Sequence, residues 1–189
     1  MHRIKRVLAP VLALMVLTSP AFAHTQTRLD GDDSAGALDL VAARQKHQGS
    51  PKKLILKLVT YEKWQQLGGM TFVSFEFDKN NDGEPERCLD IALDGTLQST
   101  MYKGTFAGCV QQFEEQQVGT RLASRPDQHS IKVAIPERWL SRNSKAYRWR
   151  AATSFEEEHH ADCPPPENLP PERRYGTCVD FTRWKRHSF

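Results

Sequence analysis

After residues 7–17 the chain lacks any apolar run near the 18 residues a membrane-crossing helix needs, which excludes a spanning helix from the rest of the sequence. It lacks the C-x-x-C pairs of a zinc site, because Cys88, Cys109, Cys163 and Cys178 are scattered. It also lacks G-x-S-x-G, H-E-x-x-H and P-loop motifs, so no familiar hydrolase, metalloprotease or nucleotide chemistry is signalled. Finally, it lacks a charge excess of its own. The 189 residues hold 26 Lys and Arg against 23 Asp and Glu, but Arg3, Lys5 and Arg6 fall in the first 23 residues with no acid beside them. The other 166 residues carry 23 of each sign, which removes the net basic footprint that nucleic-acid binding calls for.

What is there begins with those 23 residues. A basic start, an apolar run from Val7 to Leu17, a break at Thr18-Ser19-Pro20 and the small-x-small site Ala21-Phe22-Ala23 form an export signal cleaved after Ala23. No cysteine follows the cleavage point to take a lipid. The expected product is soluble and secreted, in an oxidising medium containing calcium.

In that compartment four cysteines predict two disulfides, with three possible connectivities. Sequence proximity favours Cys88–Cys109 and Cys163–Cys178. The segment from Cys163 to Cys178 holds five prolines, which remove donors and fix φ, so it is unfit for a sheet interior. It reads as a staple for an irregular C-terminal arm, residues 156–189.

From Leu38 the apolar residues recur with a period of two. Leu54, Leu56 and Leu58 alternate, as do Val73, Phe75 and Phe77; Leu89, Ile91 and Leu93; Ile131, Val133 and Ile135; and Tyr147, Trp149, Ala151, Thr153 and Phe155. Turn signals stand between them at Gly68-Gly69, Asn81-Asp82-Gly83, Asp94-Gly95 and Arg125-Pro126-Asp127. This spacing predicts an all-β, jelly-roll-like antiparallel β-sandwich over residues 38–155. Short helical turns are expected at Tyr61–Leu67 and Pro136–Arg142, and residues 24–37 read as a loose acidic arm.

Two acidic clusters suggest cations. Asp78, Asn80 and Asp82 stand at positions 1, 3 and 5 of a loop with Gly83 at position 6, a calcium-loop spacing. Glu86 takes position 9, but Leu89 holds position 12, where an EF-hand needs Glu, and the flanks alternate like strands. The plain alternative is a polar hairpin connection. The second cluster is Asp30-Gly-Asp32-Asp33, followed by Asp39, whose carboxylates repel one another unless screened. The order of acidic loop, small-residue turn and Leu38-Asp39-Leu40 resembles calcium-bearing bacterial β-sandwiches of the DOMON-like and family-nine carbohydrate-binding-module type. That resemblance implies a structural calcium at the opening loop, with Asp33 and Asp39 the best-matching ligands and Asp30 near them. The paired aromatic platform of sugar-binding relatives is missing.

Cleavage would leave His24 with a free amine beside its imidazole, a pair that chelates copper. Its candidate partners are His47, His129, His159, His160 and His187. The run Glu156 to Asp162 reads as a solvated turn. Trp149 and Trp139 are expected in the core. Trp64 and Trp184, set among polar residues, are the candidates for exposure and for stacking on a ligand. The functional expectation is a non-catalytic secreted module that binds an extracellular glycan or protein, with calcium as a structural ion. The alternative is a copper-dependent, polysaccharide-oxidising enzyme built on His24.

Overall fold

The computed structural model describes residues 25–31, 38–49, 52–64, 72–92, 96–104, 116–140, 146–156 and 177–188. They form β1 (Thr25–Leu29), β2 (Leu40–Gln48), β3 (Lys53–Thr60), β4 (Phe72–Asp78), β5 (Arg87–Ala92), β6 (Gln98–Lys103), β7 (Gln117–Asp127), β8 (Ser130–Pro136), β9 (Ala146–Glu156), β10 (Thr177–Phe181) and β11 (Lys185–Ser188). Every pairing is antiparallel, in the order β1-β2-β3-β8-β7-β6-β5-β4-β9-β10, and β11 also pairs with β9. The all-β expectation holds: the strands make one nearly closed sheet.

The described side chains of the period-two runs point where the sequence places them, while Leu93 and the side chain of Phe155 lie outside the described residues. Leu54, Leu56, Leu58, Val73, Phe75, Phe77, Leu89, Ile91, Ile131, Val133, Ile135, Tyr147, Trp149 and Ala151 all face the core. Burial of this apolar surface, at about 25 cal/mol per Å², is the main force holding the sheet around it.

β7 had no such signal, because its side chains are mostly part-exposed and Leu122 is outward. Its first half pairs with β6 and its second with β8, so one strand carries the sheet around the bend. Arg125-Pro126-Asp127 is therefore not the expected turn. Pro126 sits where the β7–β8 register shifts between Ser124 and Asp127, a place where a missing N–H costs no ladder bond. The reversal falls at Gln128-His129. Gly119 in the same strand leaves room for the ring of Trp139, since a Cβ there would come within 2.5 Å of Trp139 Cζ2.

Other expectations are revised. Part of the N-terminal arm is β1, and part of the C-terminal arm is β10 and β11; β1 and β11 are polar and β10 is only five residues long, so none shows a sustained apolar alternation. Tyr61 to Trp64 is not helical, whereas Glu137–Trp139 makes a 3-10 turn entered from Pro136.

The two ends of the strand order meet through side chains. Leu40 N donates to Asp180 Oδ2 at 2.7 Å, and Thr153 Oγ1 to Leu38 O at 2.9 Å. Lys185 Nζ donates to Thr27 O at 2.8 Å, and Gln26 Nε2 to Arg186 O at 3.3 Å. The seam joins residues 115 to 160 positions apart.

Candidate metal centre

The β4–β5 connection is shaped by its own side chains. Asp78, the last residue of β4, is fully buried; its Oδ1 accepts from Asn81 N at 2.6 Å and its Oδ2 from Gly83 N at 2.9 Å. These bonds fold the chain back over Asp78, and Asn81 (φ 71°) and Gly83 (φ 103°) take the left-handed conformations that the reversal needs. Glu86 closes the far side, its Oε2 accepting from Lys79 N at 2.5 Å. The result brings carboxylate oxygens of Asp78, Asp82 and Glu86 within 4.8 Å of one another. Among the described residues this is the one such cluster.

Asn80, the middle residue of the expected ligand spacing, braces this loop. Its Oδ1 accepts from Asp82 N at 2.9 Å and its Nδ2 donates to Asp82 Oδ2 at 2.8 Å, so it holds Asp82 in place. Glu86 takes the third carboxylate position. A cation already stands at the base of the loop: Arg148 on β9, directly across from Asp78, directs Nε (2.9 Å) and Nη2 onto Asp78 Oδ2. Burial pushes the Asp78 carboxyl upward, but the Arg148 bond and the Gly83 and Asn81 N–H groups outweigh it and hold the group below its ordinary value. Oδ2 thus takes three donors and Oδ1 one, which leaves Oδ1 with lone-pair capacity for an ion. Asp82 is exposed and Glu86 half-buried, so a second cation can approach from solvent.

Two residues along the same pair of strands, Arg150 Nε meets Glu76 Oε2 at 2.6 Å. Both guanidinium groups lie near Trp184, at 5.5 Å (Arg148) and 4.6 Å (Arg150) from its ring centroid. Trp184 keeps partial exposure. Trp64 does not, and its expected role as an exposed ring is corrected: it is 2% exposed, packed in the core under Arg125, whose Cζ lies 4.0 Å from the ring centroid. Trp139 and Trp149 are core residues, as expected.

Beside Glu76 lies Asp90, whose carboxyl burial, aided by the Glu76 charge, drives well above its ordinary value. A raised folded pKa means stability lost as pH rises past the unfolded value of 3.8. Asp90→Asn is therefore expected to raise the melting temperature at pH 8 and to leave it unchanged near pH 3. An equal effect at both values would show that Asp90 does not titrate in this way.

In the second acidic cluster, Asp33 lies outside the described residues. Asp39 is buried, and Tyr61 ties its backbone to that of Asp30: Tyr61 N donates to Asp39 O at 2.9 Å and its hydroxyl to Asp30 O at 3.3 Å. No three acids gather there among the described residues.

His24, His159 and His160 also lie outside the described residues. His47 and His187 stack with centroids 4.3 Å apart. His47 Nδ1 lies 2.7 Å from Glu137 Oε1, and its Nε2 lies 3.1 Å from the Tyr147 hydroxyl. The Tyr147 hydroxyl donates to Gln45 Oε1 at 3.1 Å, and Gln45 Nε2 to Gln26 Oε1 at 2.8 Å, which also accepts from Trp149 Nε1 at 3.0 Å. Burial chiefly keeps Tyr147 protonated. This polar chain inside the sheet was invisible in the sequence, where its members scatter from position 26 to position 149.

No described cysteine is a free thiol; Cys88 is buried, and the side chains of Cys109, Cys163 and Cys178 lie outside the described residues. No helix among the described residues is long and apolar enough to cross a membrane. In comparison with known proteins, no family model, no curated protein and no solved structure matches the chain.

Proposed function

We propose that the protein is an exported, non-catalytic binding module, cleaved after Ala23, that holds a structural calcium ion in the loop Asp78 to Glu86. The observation that carries this reading is the convergence of the Asp78, Asp82 and Glu86 carboxylates within 4.8 Å on a loop prearranged by its own hydrogen bonds. The donors are all hard oxygens, which suit calcium and give a softer metal no sulfur or imidazole. The ion would cross-brace the β4–β5 turn from the solvent side, opposite Arg148.

In the same reading, disulfides Cys88–Cys109 and Cys163–Cys178 form in the oxidising medium. The opening segment around Asp30, Asp33 and Asp39 offers a second calcium position, in keeping with the DOMON-like resemblance. Of the candidate copper partners of His24, His47 is disfavoured, since Glu137 and Tyr147 engage both of its ring nitrogens.

Thermal unfolding tests the ion. At 10 mM calcium and a Kd of about 1 mM, ligand linkage adds about 1.4 kcal/mol, or roughly 3–6 °C for a chain of this size. The rise is expected in the parent protein and should be smaller in an Asp82→Asn, Glu86→Gln variant, which keeps only the position at the opening segment. Equal melting temperatures of the parent in calcium and in chelator would remove the proposed ion.

A further inference from the structure

The outward face of β1, β2, β3 and β8 gathers positive charge in register. Arg44 stands opposite Lys57, and Lys57 opposite Lys132, so three cations cross three adjacent strands in one row. Lys46 follows two residues along β2 from Arg44. These four line a groove of about 320 Å³ with Ile55 and Pro126. Arg44, Lys46 and Lys132 are exposed. Among the described residues, Lys57 alone of the four has an ion-pair partner, Asp127 at 3.7 Å.

Like charges directly opposite one another on a sheet are destabilising. The 166 residues after the leader are neutral in total, so the row is a local segregation with no general basicity behind it. Neighbouring strands lie ~4.8 Å apart and alternate residues along a strand ~6.8 Å, so the patch covers ~10 by ~7 Å. That is too wide for one small anion to bridge, and it suits a chain bearing repeated acids.

We propose that this face docks an acidic polysaccharide, whose carboxylate or sulfate groups sit on Arg44, Lys57 and Lys132 while its sugar backbone lies over Ile55 and Pro126. A saccharide is favoured over single-stranded nucleic acid because no aromatic ring lines the groove to stack a base. Duplex DNA is disfavoured by the shallow, short row, which lacks an extended basic stripe. The inference deepens the binding-module reading and rests on it for a non-catalytic role; it does not depend on calcium.

The test is fluorescence anisotropy on the mature full chain with labelled heparin and polygalacturonate oligosaccharides, neutral dextran, and single- and double-stranded DNA, each in calcium and in chelator. At least one acidic saccharide should bind in chelator, and its affinity should fall roughly ten- to fifty-fold between 50 and 200 mM salt, as three neutralised charges imply. Arg44→Glu with Lys132→Glu should weaken it at least ten-fold with a melting temperature no lower than the parent's, since Lys57 then faces opposite charges on both sides. Lys132→Gln alone, a milder change at an exposed site, should weaken it about three-fold. The proposal is overturned if neither acidic saccharide binds in chelator, if DNA binds as tightly, or if the charge-reversed face binds like the parent. Failure of calcium to raise the melting temperature would leave this result standing, and binding only in calcium would place the saccharide elsewhere.

Discussion

Replacing Trp149 with alanine is expected to cost about 3–5 kcal/mol, a fall of roughly 6–20 °C in melting temperature. Trp149 is fully exposure-free, on β9 opposite Phe77 of β4, and among the largest side chains in the core. Alanine would remove most of its apolar volume and leave a cavity that the paired strands cannot close. Its indole N–H also donates to Gln26 Oε1, tying β9 to the β1 edge of the seam. Trp149→Phe separates the two effects. It keeps much of the volume and loses the bond, so it is expected to cost about 1–2 kcal/mol, with Gln45 Nε2 still satisfying Gln26. Urea unfolding followed by far-UV circular dichroism measures both. A phenylalanine variant as unstable as the alanine one would shift the weight from packing to the bond.

Arg148→Met is the second large effect, expected to cost about 3 kcal/mol near neutral pH. It strands the Asp78 carboxylate, which has no exposure of its own, while Gly83 and Asn81 still point their N–H groups at it. In the parent, the folded Asp78 value lies below the ordinary 3.8, so its stabilising contribution is complete above that pH and lost only in stronger acid. Without Arg148 the burial acts unopposed by the guanidinium and the folded value rises. The variant should therefore recover relative to the parent as pH falls from 7 toward 3 and the stranded carboxylate takes up a proton. Asp78→Asn combined with Arg148→Met should be closer to the parent than Arg148→Met alone, because no buried charge is left without its partner. A pH-independent deficit would show that Arg148 acts by packing on Trp184 and not through Asp78.

The same two residues show how much could be read in advance. Trp149 was legible, because Tyr147, Trp149 and Ala151 alternate with Arg148 and Arg150, and a period of two assigns them to opposite faces of a strand. Asp78 and Asp82 were legible as loop acids from their spacing with Gly83. Arg148 was not, since the pair spans 70 positions and nothing local marks it. Trp64 shows the converse failure. Its neighbours Lys63, Gln65 and Gln66 are polar, yet Trp64 N bonds to Gln128 O and Arg125 lies over the ring, so the indole is turned inward.

The β class, the core-facing residues of the alternating strands and the turn at Asn81-Asp82-Gly83 can be read from the chain alone, because these follow from side-chain alternation and local backbone preference. The strand order, the shared β7, the side-chain seam at Asp180 and Thr153, and the Arg44–Lys57–Lys132 row emerge only from long-range packing. Each of these depends on which distant strands lie side by side. That choice is made by the burial of the whole core at once and leaves no periodic mark on any single segment.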